Sequence, residues 1–130
     1  MDCVECQAQT TGFCLVCGTF AVHGKLETPP VPGWMVIAPR THLTQYDELP
    51  NGGQTELGAL IGRVSAALRA ATPAEKIYVC VFAEQLEHLH VHVIARPPGY
   101  AIKGPAIFSA PAGDRQAFDA VTAKVIQSLQ

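Results

Sequence analysis

Residues 88–93 read HLHVHV, three histidines that alternate with apolar residues. Successive side chains of an extended strand point to opposite faces, so the alternation predicts a strand with His88, His90 and His92 on one face and apolar side chains on the other. Residues two apart on a strand are separated by about 6 to 7 Å, which brings neighbouring imidazoles within reach of one phosphate or one metal ion. The stretch therefore predicts a sheet and, on one face of that sheet, a candidate site.

The run KIYVCVFA, residues 76–83, has the β-branched and aromatic composition of a second strand. Only EQLE, residues 84–87, separates the two runs, and a connection of that length favours an antiparallel hairpin. Simple register across this turn puts small side chains opposite the histidines, which leaves room for a ligand. The predicted pairs are Ala83 with His88, Val81 with His90, and Val79 with His92. The same register assigns three further side chains to the core face: Tyr78, Cys80 and Phe82.

Patterns elsewhere in the chain predict a further strand and two helices. GWMVIAP, residues 33–39, is a compact apolar run bounded by glycine and proline and is typical of a buried strand. Apolar residues recur at helical spacing from Thr55 until Pro73, and a second helix is predicted at residues 114–129, with Asp114 at its positive end. Hairpin connections and flanking helices together indicate an α+β fold, an antiparallel sheet with packed helices.

Length and composition limit the classes of function. A chain of 130 residues, 48% of them hydrophobic, suits one packed domain, here residues 1–130. A formal net charge of −2 offers no basic face for a nucleic-acid backbone. No apolar run approaches the roughly 20 residues that span a bilayer, and the N-terminus lacks the features of a secretion signal. We therefore expect a cytoplasmic protein with neither a nucleic-acid nor a membrane partner.

Four of the five cysteines lie near the N-terminus as two Cys-x-x-Cys pairs: Cys3, Cys6, Cys14 and Cys17. Two such pairs a short loop apart can present four thiolates to one zinc ion, and in a reducing compartment disulfides rarely persist. The sequence thus predicts a structural zinc knuckle within residues 1–18, with a redox pair or scattered buried thiols as the alternatives. Cys80 stands apart in an apolar run and is predicted to be a core thiol.

The alternating histidines admit three interpretations. They can be polar positions of a half-buried strand, although three in strict alternation argue against this. His88 and His90 can hold a catalytic zinc, which then needs a third ligand such as His42, His23 or Glu84. Alternatively, the neutral imidazole of the central histidine can attack phosphorus while a neighbouring histidine donates to the phosphate or the leaving group. That chemistry needs no metal, but a backbone carbonyl or similar acceptor must hold the other nitrogen of the nucleophile.

The segment HLHVHVI fits the pattern His-φ-His-φ-His-φ-φ, in which φ is hydrophobic, and so resembles the signature of the histidine triad (HIT) family of nucleotide hydrolases and transferases. The segment PGWMVIAPRTHLTQYDEL looks like the family's glycine, apolar strand, basic residue, histidine and acidic-leucine segment. KGPAIF after the triad resembles a bacterial branch, and N-terminal Cys-x-x-Cys occurs in zinc-bearing members. The resemblance covers roughly residues 14–108.

This resemblance implies a HIT-like fold and a role for each histidine. His90 would attack the α-phosphate of a nucleotide to give a nucleotidyl-histidine, which water then hydrolyses. His92 would contact the phosphate and help the leaving group, while His88 would position the nucleophile through its backbone carbonyl or ligate zinc. The implied substrates are dinucleoside polyphosphates or AMP derivatives, including phosphoramidates. Many family members are homodimers, so a homodimer is expected.

Two zinc-ligand sets stay open on this interpretation. All four N-terminal cysteines can take the ion, which we favour because such a site closes locally, or one Cys-x-x-Cys pair can share it with His42 and His88. The chain departs from the family around the triad, with Ala95 where a proline is usual and with EQLEH before it, although Gln85 can still serve a phosphate oxygen. Because of these departures, two alternatives to a HIT-type nucleotide hydrolase stay open. One is a non-catalytic nucleotide-binding or zinc interaction module, and the other is a metal-dependent hydrolase that uses the histidine row.

Overall fold

The computed structural model describes residues 3–10, 14–82 and 84–130. In chain order, the α-helices and strands of this part are α1 (Val4–Ala8), β1 (Leu15–Cys17), β2 (Phe20–Gly24), β3 (Gly33–Pro39), α2 (Gly53–Ala71), β4 (Lys76–Cys80), β5 (Val91–Arg96) and α3 (Arg115–Leu129). Two short 3-10 helices, Tyr46–Glu48 and Gly104–Ser109, lie in the connections. Among the described residues, none of the helices combines the length and the apolarity that a membrane span needs.

The five strands form one sheet in the order β1-β2-β3-β5-β4. All four neighbouring pairs run antiparallel. Helices α2 and α3 supply the partners for one face of the sheet. The predicted α+β class, an antiparallel sheet with packed helices, is therefore confirmed.

The main core lies between the sheet and the two long helices. Alternate strand residues enter it, as the period of two along a strand requires, and the buried residues of the helices recur at helical spacing. It includes Phe20, Val22, Met35, Ile37, Val91 and Val93 of the sheet and Leu57, Leu60, Val64, Leu68, Val121 and Val125 of the helices. Helix α3 begins just after Asp114, whose carboxylate accepts from the Gln116 backbone N–H at 3.0 Å. The C-terminal helix thus starts where the sequence predicts it.

The opposite face of the sheet carries a smaller core. Trp34 and Ile94 are partners across the β3–β5 ladder, and they pack with Val31 and Ile107. Residues of the segment that follows β5, among them Tyr100, cover this core. We call this side of the sheet the histidine face, because His92 lies on it.

The register predicted for the β4–β5 hairpin is wrong. The connection between the two strands comprises residues 81–90, so two of the three histidines precede the strand that they were expected to form. Cys80, rather than Val79, pairs with His92. Because a slip of one residue moves each side chain to the other face, Val79 lies on the helix side of the sheet and Cys80 on the histidine face.

This slip also corrects the residues expected in the core layer. Tyr78 packs against the smaller core on the histidine face, and Cys80 is only half-buried. Phe82 lies beyond the end of β4, and 57% of its surface is exposed. Val81 likewise lies outside the ladder, and Ala83, predicted opposite His88, is not among the described residues.

Candidate active site and metal centre

The three histidines lie in one run of chain that leads into β5. His92 belongs to the strand, whereas His88 and His90 precede it. The backbone of this run is fixed before the strand begins, because the Leu89 N–H donates to the Leu43 carbonyl at 2.7 Å and the Leu89 side chain is buried in the main core. The row therefore forms without the longer strand that its alternation predicts.

A hydrogen bond defines which nitrogen of His90 is free. Its Nδ1 atom lies 2.8 Å from the carbonyl oxygen of His88. A carbonyl can only accept, so Nδ1 carries the proton and Nε2 of the neutral ring keeps its lone pair. In the part of the chain that the structure describes, no residue is hydrogen-bonded to that Nε2 atom. This is the arrangement that a nucleophilic imidazole requires.

His92 accepts a hydrogen bond at Nδ1, whereas His90 donates one from the same atom. The indole N–H of the fully buried Trp34 donates to Nδ1 of His92 at 2.9 Å. Burial, followed by the nearby charges of His90 and Lys25, lowers the pKa of His92 to about 4, so this ring is neutral near pH 7. The ring centroids of His90 and His92 lie 4.9 Å apart, close enough for both to contact one phosphate group.

Both ring nitrogens of His88 are occupied. Nε2–H donates to the Pro39 carbonyl at 2.8 Å, and the unprotonated Nδ1 lies 3.4 Å from the Sγ atoms of both Cys3 and Cys6. A backbone carbonyl that accepts from the far nitrogen is a common way to orient a metal-ligating histidine. The nitrogen of His88 that can bind a metal therefore faces Cys3 and Cys6, in a cluster that does not include His90.

Four side chains converge beside His88 and form a candidate metal centre. Cys6 Sγ lies 3.5 Å from His42 Nδ1 and 3.4 Å from His88 Nδ1. With Zn–S bonds of about 2.3 Å and Zn–N bonds of about 2.05 Å, a tetrahedral zinc ion holds sulfur and nitrogen ligands about 3.5 Å apart. Two thiols and two imidazoles at these separations fit zinc. The four residues, whose ligand atoms all lie within 4.8 Å of one another, are Cys3, Cys6, His42 and His88.

Cys14 and Cys17 do not join this cluster among the described residues. Cys17 belongs to β1 and packs against the main core, and Cys14 directly precedes that strand. Burial raises the pKa of both thiols. Residues 15–17 pair with β2, so Cys17 is fixed in the sheet and lies outside the cluster around His88. The four-cysteine set favoured from spacing is thus not assembled, and the structure brings together the alternative set.

Helix α1 carries the first cysteine pair to the site, and a buried ion pair holds the helix in place. Cys3 caps the helix, since its Sγ accepts from the Cys6 backbone N–H at 3.4 Å. Between them, Glu5 accepts from Nε2 of His23 at 2.8 Å, and both side chains are buried. His23 also donates through Nδ1 to the Gly24 carbonyl at 2.7 Å, so both its nitrogens carry protons.

Electrostatics agrees with a charged Glu5–His23 pair. Burial acts to lower the pKa of His23 and to raise that of Glu5, but their hydrogen bond and mutual attraction outweigh it, so the pKa of His23 is raised and that of Glu5 is lowered. His23, considered above as a third zinc ligand, is therefore committed to Glu5. The pair clamps α1 onto β2 and so holds Cys3 and Cys6 beside His88.

Sequence reasoning missed three residues near the triad. Besides Trp34, they are Phe108, whose ring centroid lies 5.1 Å from those of both Trp34 and His92, and Lys25, whose Nζ lies 5.7 Å from the Trp34 ring centroid. In the sequence Trp34 belongs to an apolar strand and looks like an ordinary core residue. Only the pairing of β3 with β5 shows that it reaches His92.

Two predicted polar participants stay at the surface. Gln85, expected to serve a phosphate oxygen, and Glu84, considered as a zinc ligand, are both exposed in the β4–β5 connection, and neither belongs to the metal cluster. A cavity of about 650 Å³ lies elsewhere, between α3 and residues 23–26 at the end of β2. Its volume is that of a small-molecule site, and Lys25 belongs to its lining.

The family of the chain follows from its sequence as well as from this site. A family model described as the HIT domain matches residues 20–99, which is more than half of the chain. The chain therefore belongs to the HIT domain family, and the resemblance drawn from the triad is confirmed. A comparison with curated proteins produced no match.

Solved structures similar to this one include several histidine triad proteins. One from Bradyrhizobium japonicum is 20% identical, with a TM-score of 0.77 and coverage of 98% of this chain and 96% of that one. A zinc-bound family member from Mycobacterium smegmatis is 19% identical, with a TM-score of 0.72 and coverage of 98% and 95%. A third, from Sinorhizobium meliloti, is 26% identical, with a TM-score of 0.66 and coverage of 92% and 85%. These similarities establish that the chain has the HIT fold.

Proposed function

We propose that the chain is a nucleotide hydrolase or nucleotidyl transferase in which His90 forms a covalent nucleotidyl-histidine. The observation that carries this proposal is the hydrogen bond from His90 Nδ1 to the His88 carbonyl, which leaves the Nε2 lone pair free to attack phosphorus. Membership of the HIT domain family supports the same class of reaction, because its members are generally nucleotide hydrolases or transferases. The proposed substrates are dinucleoside polyphosphates or AMP derivatives.

The proposed reaction has two steps. First, Nε2 of His90 forms a bond to the α-phosphorus as the bond from phosphorus to the leaving group breaks, and the His88 carbonyl stabilises the positive charge on the ring through Nδ1–H. Water then attacks phosphorus and the P–N bond breaks, which releases a nucleoside monophosphate, gives one proton of the water to solvent and restores neutral His90. His92 would hydrogen-bond a phosphoryl oxygen in both steps.

We assign a structural zinc ion to Cys3, Cys6, His42 and His88. The assignment rests on the donor set and its separations, and a similar solved structure is of a zinc-bound histidine triad protein. Zinc bound here would fix His88, and with it the carbonyl that accepts from His90. In the proposed reaction the metal supplies structure alone, and the chemistry belongs to His90 and His92.

The experiment that tests the proposed function looks for the covalent intermediate. The protein is mixed with a diadenosine polyphosphate and examined by intact-protein mass spectrometry, and turnover is measured in parallel. We expect an adenylyl adduct on the wild type, and a loss of both adduct and turnover by at least about 1,000-fold in His90→Asn. Arg69→Ala, at an exposed position of α2 on the helix side of the sheet, is the control and should behave as wild type.

The same experiment separates the alternatives. No adduct and no turnover by the wild type, across anhydrides, esters and phosphoramidates of AMP, would falsify the enzymatic proposal. Tight nucleotide binding without an adduct would identify a non-catalytic binding module instead.

We also propose that the protein is a homodimer, as the family resemblance implies. β4 is the last strand in the order of the sheet, and 48% of the Val79 surface on it is exposed. If β4 of one copy paired with β4 of a second copy, the sheet would continue from one copy to the next and Val79 would be covered in both.

A further inference from the structure

Trp34 contacts His92 through a group that can only donate a hydrogen bond. The indole N–H has no lone pair and does not titrate, so Nδ1 of His92, 2.9 Å away, must be the acceptor. A neutral imidazole that accepts at Nδ1 carries its one proton on Nε2. Trp34 therefore selects a single tautomer of His92.

Packing keeps this contact in place. Trp34 is fully buried and is held in β3 by its pairing with Ile94. Phe108 packs edge-on against both partners, with its ring centroid 5.1 Å from each. A rotation of either ring that exchanged the hydrogen bond would have to displace these neighbours. The low pKa of His92, about 4 and caused first by burial, agrees with a ring that stays neutral.

We infer that Trp34 makes His92 a fixed hydrogen-bond donor instead of a proton-transferring acid, so that the site favours substrates whose leaving group departs without taking a proton from the enzyme. The inference rests on the proposed function of His90 and deepens it by naming the substrate class. That class is the phosphoanhydrides, in which the leaving group is a phosphate chain. Phosphoramidates, whose amine must be protonated as it leaves, are the disfavoured class.

The proton balance of His92 explains this preference. If Nε2 gave up its proton, the ring would become an imidazolate, because Nδ1 has no proton to keep. If Nδ1 gained a proton, two N–H groups would oppose each other at 2.9 Å. His92 therefore keeps its proton throughout the reaction, and its Nε2–H stabilises the negative charge that develops on a phosphoryl oxygen.

The bonds made and broken then fix the leaving group. The His90 Nε2–P bond forms, the P–O bond of the anhydride breaks, and the departing phosphate keeps the bonding electron pair as an oxyanion. A terminal phosphate has a second pKa of about 6, so it is a stable anion at pH 7. An alkyl ammonium ion has a pKa of about 10, so the amine is too basic to leave without a proton.

The test uses two substrates that share their AMP half, a diadenosine polyphosphate and an N-alkyl phosphoramidate of AMP. Both give the same adenylyl-His90, so the ratio of their kcat/KM values reports substrate binding and the first step, and not the shared hydrolysis. We expect the wild type to favour the anhydride by about 100-fold or more. An equal rate with the phosphoramidate would overturn the inference.

Two changes at position 34 remove the indole N–H. One is Trp34→Phe, and the other introduces benzothienylalanine, which keeps the bicyclic volume but carries sulfur in place of N–H. Without the opposing donor, His92 can take a proton at Nδ1 and act as an acid. We expect the preference for the anhydride to narrow by about 10-fold in both, with KM changed by less than about 3-fold.

The tautomer is measured separately by ¹⁵N NMR of the imidazole nitrogens. We expect the Nε2–H tautomer in the wild type and a mixture of the two tautomers in both variants. Because benzothienylalanine keeps the volume of the side chain, a mixture in that protein cannot be caused by lost volume. A substrate preference that is unchanged in both variants would overturn the inference while the proposed function stands. No turnover and no adduct with either substrate would overturn the proposed function, and the inference with it.

Discussion

His88, His90 and His92 are the same residue type within one short stretch, yet each is bound differently. His88 donates to a carbonyl and faces two thiols, His90 donates to a carbonyl and keeps a free nitrogen, and His92 accepts from Trp34. Imidazole can donate, accept or ligate according to what faces its two nitrogens. The neighbours, and not the residue type, therefore separate the three chemical roles.

We predict that His92→Asn lowers kcat by about 10- to 100-fold while KM changes by less than about 3-fold. The amide retains an N–H donor, but it cannot hold that donor in the same position, and the lost interaction is strongest when charge develops on the phosphoryl oxygen. Steady-state kinetics with a diadenosine polyphosphate measures both constants. A raised KM with an unchanged kcat would show that His92 acts in substrate binding alone.

We predict that His92 titrates near pH 4, well below its ordinary value of 6.5. Between these two values the unfolded chain binds more protons than the folded protein, so the contribution of His92 to the free energy of unfolding falls as the pH drops from 6.5 to about 4. Trp34→Phe should raise the midpoint, because it removes the N–H that opposes a proton on Nδ1. NMR titration of the ring measures this midpoint, and an identical value in the variant would contradict the role given to Trp34.

Helix α1 is short, and a helix of this length has little stability of its own. Its position depends on the buried Glu5–His23 pair and on Gln9, whose amide donates to the Pro39 carbonyl at 3.2 Å. Pro39 also accepts from His88, so one backbone carbonyl contacts both α1 and the histidine row. The same contacts therefore dock α1 and orient the candidate metal ligands.

We predict that Glu5→Gln lowers the free energy of unfolding by about 3 kcal/mol, because it leaves a buried charged His23 without its partner. The loss should be largest between pH 4.5 and 6.5. Above 6.5 it diminishes as His23, whose pKa is raised, loses its proton, and below 4.5 it diminishes as Glu5 becomes protonated. Urea unfolding of the metal-free protein across this pH range measures the loss in the free energy of unfolding. The control is Glu56→Gln, which changes a carboxylate that accepts a hydrogen bond from the Thr19 hydroxyl. A loss that does not vary with pH would contradict a charged pair.

We predict that Cys6→Ser weakens zinc binding by at least about 10-fold, whereas Cys17→Ser leaves it within about 3-fold of the wild type. Cys6 Sγ lies beside His42 and His88, while Cys17 packs against the main core. Competition with a chromogenic chelator measures the affinity. Equal losses of zinc affinity in the two variants would favour the four-cysteine site instead.

At the scale of the molecule, the sheet formed by the described residues has two edges, β1 and β4, each with an exposed valine. If two copies join through β4, Val79→Lys should convert the protein to a monomer, because a lysine on an edge strand opposes edge-to-edge pairing. Val16→Lys on β1 is the matched control, since Val16 is 51% exposed and Val79 is 48% exposed. Sedimentation analysis measures the mass, and a wild-type monomer at all concentrations would exclude the dimer.

Sequence reasoning succeeds here for features that depend on neighbours along the chain. The period of two identifies the histidine row, the helical period locates α2 and α3, and Cys-x-x-Cys spacing points to Cys3 and Cys6. It fails for the β4–β5 register, because the length of EQLE does not reveal where the ladder hydrogen bonds end. It also favours Cys14 and Cys17 as partners of the first cysteine pair, whereas the structure brings His42 and His88 to that pair, because spacing within one motif carries no information about a distant histidine.

Alternation and spacing are local properties, so the amino-acid sequence alone was sufficient for the α+β class, the HIT family and the row of histidines. The tautomer of His92, the position of α1 and the candidate metal-ligand set arise from contacts between distant residues. Trp34 and His92 are 58 positions apart, and Cys3 and His88 are 85 apart. Such groups meet only once the strand order and register have set which side chains face each other, and that pairing depends on how the whole core packs.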